Sequence, residues 1–305
     1  MFKAFIMKFS KFKFIRFLLL FLLGNSIFSQ SEIKKEVQTN GADSSYVSLS
    51  LGYINDAVFF GRKDSISAPY LYPSITYFNK SGFYATGSFS YLTKSNESRI
   101  DLFLGTIGYD FNIRKLQGDI SFTKYFFNTD SYNVISEVEA DISAIMVYDL
   151  DILNVGVGAT LFINKNSGSD FFLYSEISHD FVTKHQRFQI SPTAGIYFGS
   201  QNFYEEYYIN NRFGNGSRGK GSGQGNVGNT QTAVTSVVLE ESEKFSLMAI
   251  EFSLPIWYVN KPYILGLSPY FIIPKTPATL TTETDIYKED LDNTFYFMLS
   301  ISYIF

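Results

Sequence analysis

The last twelve residues, 294-TFYFMLSISYIF-305, alternate between two kinds of side chain. The positions that share one face are Phe295, Phe297, Leu299, Ile301, Tyr303 and Phe305, and those between them are Tyr296, Met298, Ser300, Ser302 and Ile304. Successive side chains of a β-strand point to opposite faces of the sheet. The stretch therefore predicts a strand with one wholly apolar face and one mixed face.

Eleven earlier segments share this alternation or a composition rich in β-formers. With the last one, they cover residues 44–53, 70–78, 82–92, 99–111, 116–125, 132–148, 153–163, 170–181, 187–198, 245–258, 262–273 and 294–305. Bacterial single-chain barrels have an even number of strands. We therefore predict about twelve strands, with ten and fourteen as the neighbouring counts.

The connections alternate in length. They are short after the even strands (79–81, 112–115, 149–152, 182–186 and 259–261) and mostly longer after the odd ones, with long loops at 54–69, 199–244 and 274–293. Short turns on one rim and long loops on the other are typical of outer-membrane barrels. The predicted fold is all-β: a transmembrane, antiparallel, up-and-down β-barrel with short periplasmic turns and long extracellular loops.

The amino-terminal residues predict export. Residues 1–29 combine five cations, no acid and a short apolar run, which is typical of a cleaved signal peptide. Residues 30–43 would then form a short periplasmic tail, and residues 44–305 the barrel. Without the five leading cations the net charge falls from −4 to about −9, which argues against a nucleic-acid partner. The chain has no Cys, so no disulfide framework is available.

The carboxyl-terminal strand resembles the signal that outer-membrane β-barrel proteins present to their assembly machinery, carried here by Phe297, Leu299, Ile301, Tyr303 and Phe305. The junction at residues 28–30 and a composition rich in Tyr, Phe, Asn and Lys resemble exported proteins of Bacteroidetes. This resemblance implies the outer membrane of a Gram-negative bacterium, with membrane lipid, lipopolysaccharide and the assembly machinery as partners. It is a likeness of class and carries over no functional residue.

Acidic residues are the main polar feature of the predicted lumen. By alternation, the inward-facing candidates for selectivity or ligand contact are Asp101, Asp119, Glu137, Glu139, Asp141, Glu176 and Glu251. The fourth strand is ambiguous in phase, and a β-bulge is one explanation. Because strands four to six adjoin, we expect a negative patch on one wall that favours cations or basic ligands. A wet interior whose acids are paired with tyrosines or loop lysines is the competing interpretation.

Two functions remain open at this stage. Small inward residues such as Ser48, Ser88 and Gly158 favour a narrow diffusion pore or substrate channel. Bulky inward Tyr70, Tyr72, Tyr84 and Phe162 favour a closed barrel that recruits a surface protein through the loop at 199–244. Trp257 is expected inward, near the periplasmic end.

Catalysis, cofactors and metals find little support. Residues 214–220 match seven positions of a phosphate-binding loop, but Gly221 replaces the required Ser or Thr. We interpret 214–229 as a flexible tip, with 202–209 and 230–239 as strands that extend beyond the membrane. Ser175 and His179 are about 13 Å apart along one strand, too far for a nucleophile and its base. A hydrolase is therefore a minor alternative, and no catalytic, cofactor or metal residue is predicted.

Overall fold

The computed structural model describes residues 44–63, 67–94, 97–207, 238–239, 242–281, 286–289 and 291–305. The predicted signal peptide, the periplasmic tail and the glycine-rich tip at 214–229 lie outside the described residues. Within the described part the chain forms one short helix, α1 (Asn202–Tyr207), and these strands. They are β1 (Tyr46–Ile54), β2 (Tyr70–Phe78), β3 (Phe83–Leu92), β4 (Arg99–Ile113), β5 (Leu116–Phe127), β6 (Val138–Asp149), β7 (Asn154–Asn164), β8 (Asp170–Ser178), β9 (Phe181–Val182), β10 (Phe188–Ile190), β11 (Thr193–Gly199), β12 (Val238–Leu239), β13 (Ser246–Ser253), β14 (Ile256–Asn260), β15 (Tyr263–Pro274), β16 (Thr279–Thr281), β17 (Ile286–Lys288) and β18 (Thr294–Ile304).

The described strands build a closed, antiparallel barrel of twelve strands, as predicted. Three of the twelve are interrupted: β8 continues as β9, β10 as β11, and β13 as β14. Two of the breaks contain Pro192 and Pro255, which have no N–H to give to the ladder. The first strand pairs with the last, from Ser48 opposite Ile304 to Ile54 opposite Met298. This pairing closes the wall and leaves it without a free edge.

The two rims differ as the connection lengths predicted. The short-turn rim carries residues 79–82, 114–115, 150–153, 183–187 and 261–262. The long-loop rim carries the described residues of the connections after β1, β3, β5, β7, β11 and β15. In β18 the outward Phe295, Leu299 and Ile301 are exposed, while Tyr296 and Ser302 are buried. Large exposed apolar side chains recur on the other barrel strands, which suits a wall that faces lipid. In the described residues no helix has the length and apolarity to cross a membrane.

Two of the three register shifts among the described barrel strands change the predicted orientation of acidic residues. Between β3 and β4 the register shifts at Ser90 and Tyr91, so that both Asp101 and Leu102 are buried. Between β6 and β7 it shifts at Val138 and Ala140. Because side chains alternate with a period of two, one extra residue turns every later side chain to the other face. This effect decides which acids enter the lumen.

Two predicted strand segments were wrong. Residues 202–207 form α1 rather than a strand, because the carboxylate of Asp170 accepts the backbone N–H groups of Asn202 and Phe203 at 2.8 and 2.7 Å and so caps the helix. Residues 132–137 are not strand, and residues 134–137 form turns, because the N–H of Ile135 donates to Asn133 Oδ1 at 3.2 Å instead of to a neighbouring strand. Asn side chains offer the backbone such an alternative to a sheet ladder.

Candidate functional site: the barrel lumen

Three large aromatic side chains lie against the inner wall. Tyr84, Tyr174 and Trp257 are direct cross-strand partners of Gly108, Gly158 and Gly266, respectively. A methyl group at those glycines would lie 2.4, 2.2 and 2.3 Å from the facing ring. Each ring therefore covers the bare backbone beside it. Tyr84, which the sequence analysis placed among the bulky inward residues, lies against the wall at Gly108.

Trp257 lies at the short-turn end, as expected. It is 1% exposed and clusters with Tyr46, Phe78 and Ile264. At this end of the lumen several wall residues, including Ser121 and Asp119, remain half-exposed. The short-turn end of the lumen is thus narrowed but hydrated.

Glu176 and Glu251 form a carboxylate pair in the lumen wall. Both flank Gly195: Glu176 is its partner on β8, and Glu251 its partner on β13. Two strand spacings separate the two backbones by roughly 10 Å. Both residues are only 3% exposed, and the Tyr197 hydroxyl donates to Glu176 Oε1 at 2.6 Å. Glu251 Oε1 accepts no hydrogen bond from the described residues. A buried carboxylate without compensation is costly to ionise, so a cation beside this pair would stabilise its charged form.

Asp101 and Asp141 are satisfied by hydroxyl groups. Asp101 accepts hydrogen bonds from Tyr70 at 2.5 Å and Ser131 at 2.6 Å, and Arg99 contacts its other oxygen at 3.0 Å. Asp141 accepts from the Tyr125 hydroxyl at 2.5 Å and from Ser143 at 2.9 Å. These two acids fit the competing interpretation, in which tyrosines and loop residues partner the interior carboxylates.

Sequence reasoning missed one inward acid, Asp110, which forms a second acidic pair with the predicted Asp119. Asp110 lies directly opposite Asp119, both are half-buried, and the Tyr84 hydroxyl donates to Asp119 at 3.2 Å. Asp101 and Asp110 differ in parity, so an unbroken strand cannot turn both inward. The bulge at Asp101 allows it. The sequence did contain a signal for this bulge. Ile107 and Tyr109 have the same parity as Asp101, so an unbroken strand could not place these two apolar side chains outward and Asp101 inward.

The predicted inward placement of Glu139 is wrong, and the inward acids of β4, β5 and β6 lie at different heights of their wall. The shift at the start of β6 leaves Glu139 exposed on the outer wall, where it pairs with Lys124. Glu137 precedes β6, at the long-loop rim, and lies 3.6 Å from Lys165 Nζ. Asp101 and Asp141 lie near the long-loop ends of their strands, whereas Asp119 lies near the short-turn end of β5. The inward acids are therefore spread along the lumen.

The long-loop end is closed by an inward-folded segment, residues 55–63, which we call the plug. Phe59 and Arg62 exchange backbone hydrogen bonds at 2.7 and 2.8 Å, which turns the chain back on itself. The Phe59 ring packs on Phe162, Phe172 and Phe203 at 4.9–5.8 Å between ring centres. Phe59 and Phe162 are both almost fully buried. The polar wall residues thus end at an apolar barrier that is made partly of loop residues.

A buried ion pair fastens the plug. Arg62 is 1% exposed, its Nε lies 3.4 Å from Glu289 Oε2, and its guanidinium donates to the Thr276 carbonyl and lies over the Tyr204 ring. Glu289 also accepts from the Tyr204 hydroxyl at 2.7 Å and from the Ala278 N–H at 2.9 Å. One carboxylate therefore joins the plug, α1 and the last long loop.

Rim contacts support the neighbouring loop. The Tyr132 hydroxyl donates to Glu97 at 2.5 Å, and Lys94 lies 3.1 Å from the same oxygen. The bond from Tyr132, followed by that from Lys94, lowers the pKa of Glu97 from its ordinary value. Glu97 thus stays ionised and holds the loop at 128–137 against the rim.

The histidines show no catalytic arrangement. His179 Nδ1 lies 2.5 Å from the Ile152 carbonyl oxygen, and Ser175 donates to the Gly156 carbonyl at 3.2 Å. His185 is exposed in the turn at 183–187. Among the described residues no three His, Cys, Asp or Glu side chains are grouped so that they could hold a metal ion.

No protein-family model matches the chain, and neither does any curated protein. Among solved structures, the chain is similar to a KdgM porin at 9% identity and a TM-score of 0.44, covering 84% of this chain and 98% of the porin. A NanC porin gives 7% identity and 0.45, with the same shares covered. LpxR from Salmonella typhimurium gives 10% identity and 0.45, covering 84% of this chain and 99% of that one. Because the identities and TM-scores are this low, the function of this chain has to be inferred from its own side chains.

Proposed function

We propose that the chain is a narrow outer-membrane channel that favours cations and is closed at its long-loop end by the plug. The apolar outer wall and the alternation of short turns with long loops support the membrane location. Rings that lie flat on glycines support a lumen with space along its axis. The acidic interior supports cation preference, because charge of one sign in a narrow pore biases what enters.

One observation carries the proposal: the barrier rests on loop residues directly above the carboxylate pair. Phe60 of the plug packs on Tyr197 at 5.5 Å between ring centres, and the Tyr197 hydroxyl bonds Glu176. Withdrawal of this segment would break its hydrogen bonds to β18, such as that from Thr294 Oγ1 to the Gly61 carbonyl, and would leave the ladders between the strands intact. Its withdrawal would join the carboxylate pair to the outside.

Selectivity tests the role of the carboxylate pair. We expect the channel in a planar bilayer under a KCl gradient to show a reversal potential that favours cations. Glu176→Gln together with Glu251→Gln should move that potential to near zero, because a charge 4 Å from an ion contributes about 4 kcal/mol at an effective dielectric of 20.

Glu137→Gln together with Glu139→Gln is the matched control. It removes the same charge from the rim and the outer wall, and should leave the preference unchanged. Equal effects of the two double variants would contradict the pair's role. A well-folded barrel that never conducts would favour the other function, a closed scaffold that binds a surface partner through its long loops.

A further inference from the structure

The outer wall has a groove of about 640 Å³ within its apolar belt. Gly87 and Gly105 are direct cross-strand partners and both face outward. A methyl group at either position would meet no atom of the described residues within 4 Å. Glycine inside a strand weakens it and often marks the close approach of a ligand. Here two such glycines leave the floor of the groove as bare backbone.

The pairing of strands β1 to β5 determines which side chains surround the groove. Leu49, Ile75, Gly87, Gly105 and Lys124 follow one another as partners across β1 to β5. The two glycines are thus a gap in a row with aliphatic side chains at one end and Lys124 at the other. Phe89, Phe103 and Phe126 line the groove toward the long-loop rim, with Phe89 and Phe103 in ring contact at 5.9 Å.

The charge at the end of this row is unusual for a lipid-facing wall. Lys124 is about one-third exposed, lies over the Phe126 ring at 6.0 Å and pairs with Glu139 at the long-loop end of β6. A lysine near a membrane interface extends its ammonium toward the headgroups along an apolar stem. Because an ammonium has three N–H donors, the bond to Glu139 leaves donors for a further acceptor.

We propose that this groove binds lipopolysaccharide, with one acyl chain over Gly87 and Gly105 and a lipid A phosphate at Lys124. The inference rests on the outer-membrane placement proposed above, because the long-loop rim then lies in the outer leaflet, which lipopolysaccharide forms. An empty notch in the wall forfeits dispersion contacts, so hydrocarbon fills it. Lys124 gives the groove a preference for lipid A, whose phosphates carry net negative charge, over zwitterionic phosphatidylethanolamine.

Native mass spectrometry of the refolded full chain tests the site, with lipid A and phosphatidylethanolamine added separately as probes. The wild type should retain one lipid A, and Gly87→Leu together with Gly105→Leu should weaken retention on the order of tenfold by filling the groove. Lys124→Gln leaves the backbone unchanged and should weaken it about fivefold. Ala144→Leu adds a branched apolar group at an exposed position of β6, away from the groove, and should behave as the wild type.

Heat-dependent gel mobility confirms that each variant folds, and unchanged conductance separates this site from the channel. Equal retention of lipid A by the wild type and the leucine variant would overturn the proposal. Preferential retention of phosphatidylethanolamine would overturn the assignment to lipopolysaccharide. A wild-type dimer that the leucine variant loses would show that a second copy occupies the groove.

Discussion

Arg62→Ala should raise the open-to-closed ratio of the channel about a hundredfold, because it removes the cation that fastens the plug. The substitution leaves Glu289 buried without its ion partner. Loss of one partner of a buried pair costs about 3–5 kcal/mol. We expect the lower end, since Glu289 keeps the hydrogen bonds from Tyr204 and Ala278. Dwell times in single-channel records measure the ratio.

Lys63→Ala is the matched control. Lys63 is the neighbour of Arg62 in the same plug, but its pair with Asp56 at 3.2 Å is half-exposed. Such pairs contribute about 0–1 kcal/mol, so the open-to-closed ratio should change by no more than roughly fivefold. If Arg62→Ala changed the dwell times no more than Lys63→Ala does, the Arg62–Glu289 pair would not be what holds the plug.

Gly158→Ala should destabilise the barrel and reduce its unit conductance. The new methyl group would lie 2.2 Å from the Tyr174 ring, closer than any van der Waals contact. The ring must leave the wall and swing toward the axis of the lumen. Overpacking of this kind costs about 1–3 kcal/mol. Unfolding in urea measures the cost, and single-channel current measures the obstruction.

Gly105→Ala tests whether a methyl group on any strand glycine has this effect. Gly105 faces outward, and a methyl group there would meet no described atom within 4 Å. We expect no loss of stability and no change in current. A Gly158→Ala barrel with wild-type conductance would mean that the ring over Gly158 does not keep the lumen clear.

The barrel could be predicted because its signals are repeated along the chain. Every turn and loop adds evidence for the alternation of short and long connections. The alternation of side chains in β18 places Phe295 and Ile301 on the same, outward face. A water-excluding outer wall fixes that register, since a slip by one residue would put polar side chains into lipid.

The positions of the acids could be predicted only between bulges. A bulge inserts one extra residue into a strand, and it turns each side chain beyond it to the opposite face of the wall. Asp110 therefore lies inward and Glu139 outward, against simple alternation. In β4 the conflict between Asp101 and Ile107 was visible in the sequence. In β6 the residues from Asp141 onward face the sides that alternation predicts, so nothing in the sequence indicated the bulge at Glu139.

The plug and α1 depend on contacts far apart in the chain. Residues 58–60 read Val-Phe-Phe inside a long loop, an apolar run that is a signal for burial. Their partners on β7, β8 and α1 are distant in sequence, so alternation could not identify them. Likewise, Asp170 caps α1 from more than thirty residues away. Local preference for strand in 202–207 is overridden by that cap.

The most direct test of the channel is single-channel current from the refolded wild type beside a variant in which residues 57–62 are replaced by a short Gly-Ser linker. The account predicts rare openings of the wild type, and long openings of the same unit conductance and cation preference once the plug is removed. A plugless barrel that folds, shows heat-dependent gel mobility and still carries no current would contradict it, because the wall itself would then close the lumen.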